Sequence, residues 1–344
     1  MTIDIAKGIA IIAIVLGHVH RGIWASGLGT YSVLWFKVPF DHFLYFWHLS
    51  VFAFLSGLFV QQSITKYGTL EYLRSRVILI FYLYTLWQVL QIGVKLLLPG
   101  GSNSSSSWSD LYKLWVPEGQ LWFFPWLLLA TVYSVLLKVW AKNILGYTAI
   151  FIAVVLAFLS WGWFDKYIGT QGLPLLIFFI LGVNIGFKRL SNFLQALKTF
   201  QILGITIAGF AIFLIFFFLT PAVPPTVYPE NAVGYDQVLA GFVACISATC
   251  AIIGLACVLA RIPGSEWIAY LGKQSLPIFL AHIIVIGAVR SIMMRSHITG
   301  YGIYLVVLTV VGVVVPLGMY IIAKRLRIPI FEVPASIHKH LAKR

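Results

Sequence analysis

An all-α polytopic membrane protein with about ten transmembrane helices is the fold this sequence predicts, and three observations predict it. Hydrophobic residues make up 60% of the 344 residues and charged residues only 10%, against about 25% charged in a soluble domain. Apolar runs such as "AIFLIFFFLT" and "YLVVLTVVGVVVPLGMYIIA" recur along the whole length, as bilayer-crossing helices require. The Lys and Arg residues sit mostly at the ends of these runs, so the formal net charge of +14 is a matter of topology, and nucleic acid is not an expected partner.

The candidate spans are 3–24, 40–62, 76–98, 120–138, 144–163, 172–187, 200–220, 237–260, 274–294 and 301–323. With the N-terminus cytoplasmic, 17 Lys and Arg fall inside and 7 fall outside, the latter being Arg21, Lys37, Lys95, Lys113, Lys166, Arg290 and Arg295. This satisfies the positive-inside rule and makes both termini cytoplasmic. The first span carries charges at its start and no basic leader, so it is expected to be a retained helix and not a cleaved signal peptide.

The first span opens with "DIAKGIAIIAIVLGH". Steps of three and four put Asp4, Lys7, Ile11 and His18 on one helical face. Asp4 and Lys7 form a helix-pairing couple at i, i+3. His18 lies eleven residues beyond Lys7, about 16 Å of helical rise. Lys7 alone is explained by snorkelling. An imidazole inside a span is costly and marks a candidate site, though an interhelical hydrogen bond also accounts for it. His20 points to another face and is read as structural.

The second span holds "WHLSVFAFLSGLF", where His48 reaches a depth similar to His18; Ser56 and Gly57 are read as packing residues. The third opens with "YLRSRVILIFY", in which Arg74 and Arg76 are phosphate-gripping types that also serve as positive-inside anchors. Between the third and fourth spans runs the Gly/Ser-rich "PGGSNSSSSWSDLYKLWVPEGQ". The fourth opens with "EGQLWFFPW", which puts Glu118, Gln120 and Trp122 at the outer mouth, where an aromatic belt also fits. The loop "TPAVPPTVYPENAVGYDQ" before the eighth span is Pro-rich and acidic. Cys245, Cys250 and Cys257 all fall in that eighth span without CxxC spacing and are read as packing residues. The ninth holds "LGKQSLPIFLAH", with Pro277 expected to kink the helix beside His282. No carboxylate accompanies these histidines at ligand spacing, so no metal is expected.

Taken together, the cationic residues Lys7, Arg74 and Arg76 lie at the cytoplasmic end, the imidazoles of His282, His18 and His48 through the middle and outer half, and aromatic and acidic groups at the outer mouth. That track suits a phosphate-rich donor from inside and an acceptor from outside. A transporter or flippase that moves a glycan or lipid without a covalent step is the competing class. The lack of internal repeats argues against it, as does the lack of deep charges in spans five to eight.

The segments "DIAKGIAIIAIVLGH", "FWHLSVFAFLSG", "LWFFPWLL" and "LGKQSLPIFLAH" resemble acyltransferase family 3, the integral-membrane acyltransferases, and most of all its fucose O-acetylase-like branch. Lys7 stands where many members carry Arg, and His48-Leu49-Ser50 where His-Met-Pro is usual. The resemblance implies an integral-membrane acyltransferase domain over 1–325 and a basic cytoplasmic tail over 326–344. It implies acyl transfer, commonly acetyl, from acyl-CoA as co-substrate, with no permanently bound cofactor. The expected acceptor is a hydroxyl of a cell-surface or exported glycan or a lipid-linked sugar, and the expected setting is the bacterial inner (plasma) membrane with its lipids. His18 would be the general base, since an imidazole's ordinary pKa of about 6.5 suits that task. His48 and His282 would orient substrate or share the proton. Lys7, Arg74 and Arg76 would hold CoA phosphates, and Trp122, Glu118 and Gln120 would meet the acceptor.

Overall fold

The computed structural model describes residues 1–28, 34–97, 107–163, 167–229 and 232–334. Among the described residues every regular element is helical. Eight helical segments are long and apolar enough to cross a membrane. The fifth and sixth predicted spans are the remaining two. One is the 16-residue apolar helix α7, Ile144–Leu159. The other is α8, Leu176–Ile185, entered by the turn Leu173–Leu175 and bent by 73° into the amphipathic α9, Phe187–Ala196.

The helix α1, Thr2–Ala25, forms the axis of the bundle. Its Ile5, Ala6, Ile11 and Val15 have no exposed surface, because other helices surround it on every side. Those neighbours are α2 (Leu34–Tyr45), α3 (His48–Gly57), α11 (Tyr235–Leu259), α12 (Glu266–Lys273), α13 (Ser275–Arg295) and α14 (Tyr301–Arg325). By contrast, α10 (Thr199–Leu219) and α14 turn Phe200, Ile207, Phe218, Val306 and Val310 outward. Such side chains are stable only against lipid. Cys245 and Cys257 are buried in α11, Cys250 is exposed there, and all three are free thiols.

Four glycines set the closest helix contacts. A Cβ on Gly8 would strike the Ile268 carbonyl of α12, and one on Gly272 the Asp4 carbonyl of α1. Gly57 and Gly182 stand in the same reciprocal relation between α3 and α8, against the carbonyls of Phe179 and Phe54. Backbones that touch leave no room for a side chain, which is how small residues join helices where lipid gives no hydrophobic drive. Ser56 donates to the Phe52 carbonyl within α3 at 2.8 Å. Gly272→Val is expected to cost about 1–3 kcal/mol or more, because the obstructing atoms are backbone. A thermal unfolding midpoint in detergent equal to that of the native chain would contradict this.

Several spans differ from their sequence-based bounds. The second runs over Leu34–Tyr67 and is broken into α2, α3 and α4 (Val60–Tyr67). Gly68, at φ 81, then turns the chain into α5, Thr69–Leu97. This helix begins seven residues before the predicted 76, since the polar "TLEYLRS" hides from a hydropathy count, and so Arg74 and Arg76 project from inside its first turns. The kink expected at Pro277 is instead a break at Gln274 between α12 and α13, with Pro277 in the first turn of α13. A proline there leaves the Lys273 carbonyl without its helical partner, so the helix restarts just upstream.

Residue 98 at the end of the third predicted span and residues 99–106 of the Gly/Ser-rich loop lie outside the described residues, as do 335–344 of the tail. The described part of that loop forms the turn Trp108–Tyr112 and is tied to α5 through Gln88. Its amide donates to the Val116 carbonyl at 2.8 Å, and its oxygen accepts from the Glu118 N–H at 2.9 Å. After α14 the chain folds back on α5, where Tyr82 and Trp87 donate to the carbonyls of Pro329 and Ile330 at 2.8 and 2.7 Å.

Candidate active site

Three helices bring three imidazoles together. His18 stands on the outer half of α1, and its ring centroid is 5.2 Å from that of His282 on α13. His48 is the first residue of α3 and packs by Gly17, the neighbour of His18: a Cβ on Gly17 would lie 3.9 Å from His48 Cε1. The break between α2 and α3 makes this possible. There the Leu44 carbonyl accepts from the Trp47 N–H at 3.2 Å and also from His48 Nδ1 at 2.6 Å.

The partners fix the tautomers. A carbonyl only accepts, so His48 Nδ1 carries its proton, as does His282 Nδ1, which donates to the Ile278 carbonyl at 2.9 Å. In the neutral rings Nε2 is then the acceptor on each. His282 has no exposed surface, and its Nε2 meets no hydrogen-bond partner among the described residues. A buried acceptor left open is uncommon enough to point to a site. His20 differs: Tyr301 Oη and the Lys37 carbonyl hold it at 2.7 and 2.8 Å, which makes it a clamp between α1, α2 and α14.

His18 lines a cavity of about 470 Å³. The other walls come from the C-terminal ends of α5 and α13, the last turns of α1 and the start of the turn Gly119–Trp122. This is the end of the bundle that the Lys and Arg distribution in the sequence leads us to expect on the outer side. Glu118 is in the wall and accepts from Lys95 at 2.6 Å. Gln120 is buried behind it and donates to the Phe279 and Leu280 carbonyls of α13 at 3.2 and 3.4 Å, which steadies the helix just before His282. Trp122 is 8% exposed, packs on Phe123 at the start of α6 (Phe123–Leu136) and is not part of the wall.

At the opposite end of α1, Lys7 Nζ lies 4.7 Å from the centre of the Phe59 ring. Arg76 on α5 lies 5.3 Å from that of Tyr72. Arg74 is half-buried on the same turn. Asp4 sits one turn before Lys7 on α1.

Sequence reasoning missed Arg21, Gln91, Arg290 and Arg295, all of which line the cavity. The cations were assigned to topology alone. The signal against that was position: Arg290 belongs to the last third of an apolar span, where an arginine is expensive. Gln88 and Gln91, at i, i+3 in an apolar helix, were a second signal.

A family model described as "Acyltransferase domain" matches residues 2–321 of this chain. No curated protein and no solved structure matches it.

Proposed function

The chain belongs to this acyltransferase family and is an integral-membrane acyltransferase, and from that premise we propose that it moves an acyl group, acetyl in the simplest case, from acyl-CoA at the cytoplasmic face to a hydroxyl of a cell-surface or exported glycan or of a lipid-linked sugar. The setting we propose is the bacterial inner membrane. The observation that carries this reading is a single helix with an ammonium, Lys7, near one end and, about 16 Å further on, an imidazole that lines a cavity and abuts a second imidazole.

In this mechanism the adenine nucleotide stays at the cytoplasmic end with its phosphates on Lys7, Arg74 and Arg76, where charge-assisted hydrogen bonds are strong. The pantetheine arm extends along α1 and brings the thioester to His18. The acceptor enters from the other end. Its hydroxyl oxygen attacks the thioester carbonyl carbon while His18 takes the hydroxyl proton. The C–S bond then breaks, the acyl group stays on the acceptor oxygen, and the CoA thiolate recovers the proton from His18. His282 Nε2 and His48 orient the His18 ring or the attacking hydroxyl. One proton relay suffices, so no acyl-enzyme forms.

The test uses purified enzyme and labelled acetyl-CoA. With a glycan fraction present, label is expected on glycan. Without acceptor, an acid quench is expected to leave the protein unlabelled. Stoichiometric label that chases onto acceptor would mean ping-pong transfer and turn His18 from base into nucleophile.

A further inference from the structure

On the acyl-transfer reading above, we propose that the outer cavity is an anion-binding site and that the acceptor carries a negatively charged group, held by Arg290 and Arg295 while its hydroxyl meets His18. Three observations lead there.

The first is charge. The cavity wall contains Arg21, Lys95, Arg290 and Arg295 against one carboxylate, Glu118. Even with Asp41, which pairs with Arg21 from outside the wall at 2.6 Å, the balance is four cations to two carboxylates. That excess runs against the positive-inside rule, which makes the outer end the place to avoid cations. An uncharged sugar gives no reason to maintain it.

The second is the position of Arg290. It is only 7% exposed, in a helix that spans the bundle. Charged groups at such positions mark ligand pathways more often than anchors. Its Nη1 would be 2.6 Å from a Cβ on Gly22, so the missing side chain of that glycine leaves room for the guanidinium. Gly22 follows His18 by four residues on α1, one turn and about 6 Å toward the outer mouth. The site therefore has a base at its floor and a guanidinium one turn above. That separation is comparable to the breadth of one sugar ring with its substituents.

The third is residue type. Arg290 and Arg295 carry the planar fork that matches a carboxylate or phosphate in two parallel hydrogen bonds, as Arg21 already does with the two oxygens of Asp41 at 2.6 and 2.7 Å. Lys95 is bound up with Glu118 at 2.6 Å and forms part of the frame. Arg295, exposed at the end of α13, lines the same cavity.

The anion has two possible sources. One is a carboxylate on the sugar itself, as in a uronic acid. The other is the phosphate that joins a sugar to a lipid carrier. The shared chemistry is an oxyanion about one ring from the reacting hydroxyl.

The experiment measures binding to the full-length protein in nanodiscs without donor. The probes are methyl glucuronide, methyl glucoside, glucose 1-phosphate and a polyprenyl phosphate without sugar. The native protein is expected to bind at least one acidic probe about tenfold or more tighter than methyl glucoside, with affinity falling as ionic strength rises. A preference for glucuronide assigns the carboxylate source, and one for the two phosphates assigns the lipid-carrier source. Arg290→Gln should remove the preference and Arg290→Lys should keep part of it. Arg295→Gln, at an exposed position, carries the same test with a smaller loss if Arg290→Gln does not fold.

Equal binding of neutral and acidic probes by the native protein would overturn the proposal. So would a preference that survives both glutamine substitutions, or displacement of the acidic probe by free CoA, which would assign the arginines to the donor's phosphates. Acetyl transfer is followed in the same samples. Transfer without an anion preference sinks this proposal alone. An anion preference without any transfer supports the anion site and sinks the acyl-transfer reading.

Discussion

His18→Ala is expected to lower acyl transfer by about 10²–10⁴-fold, the contribution of a positioned general base, with insertion and thermal stability close to those of the native protein. His18 lines a cavity and is only partly buried, so its removal enlarges a space that already exists and does not open a hole in the core. His282 cannot replace it. Its Nδ1 is tied to the Ile278 carbonyl and the ring has no exposed surface, and the role we propose for it is to position His18 or the hydroxyl. The rate of the purified variant, beside its melting curve, checks this. Activity above about a third of the native rate would remove His18 from the role of base.

Lys7→Ala and Arg76→Ala are expected to raise the KM for acyl-CoA by about ten- to a hundredfold, since a hydrogen bond to a charged group contributes about 1.5–3 kcal/mol. The KM for acceptor should stay unchanged. Both residues lie at the end of the bundle remote from the cavity. Lys7 stands against Phe59, and Arg76 against Tyr72. Those ring contacts hold the cations in place without neutralising them. Initial rates with each substrate varied in turn separate the two constants. Equal changes in both would place the donor elsewhere.

The first helix was legible almost entirely in the sequence, because its bounds of 3–24 against Thr2–Ala25 depend on hydropathy alone. The meeting of His18 and His282 was partly legible. Counting from a span start at 274 puts His282 near mid-membrane and His18 in the outer half, whereas their rings lie 5.2 Å apart, because α12 precedes α13 and sets His282 further from that end than the count allows. The breaks at 46–47 and 274 were hidden. The first carries no proline or glycine, and the second precedes the proline by three residues. The helix α12 was also invisible, since at eight residues it is too short to span and is held by the Gly8 and Gly272 contacts. Trp122 shows the limit of composition: an aromatic residue near a membrane boundary fits a belt or a sugar platform equally, and here it is packed inward. The outer arginines were counted as charges when their meaning lay in what they surround.

The central claim is a reaction that takes its donor from one face of the membrane and its acceptor from the other. Proteoliposomes of known orientation, given labelled acetyl-CoA on one side only and acceptor on the other, test it most directly. The account predicts labelled acceptor when the donor is on the side of Lys7 and Arg76 and the acceptor on the side of Arg290, and no label with the sides exchanged. Labelled acceptor from donor supplied only at the Arg290 side would contradict it.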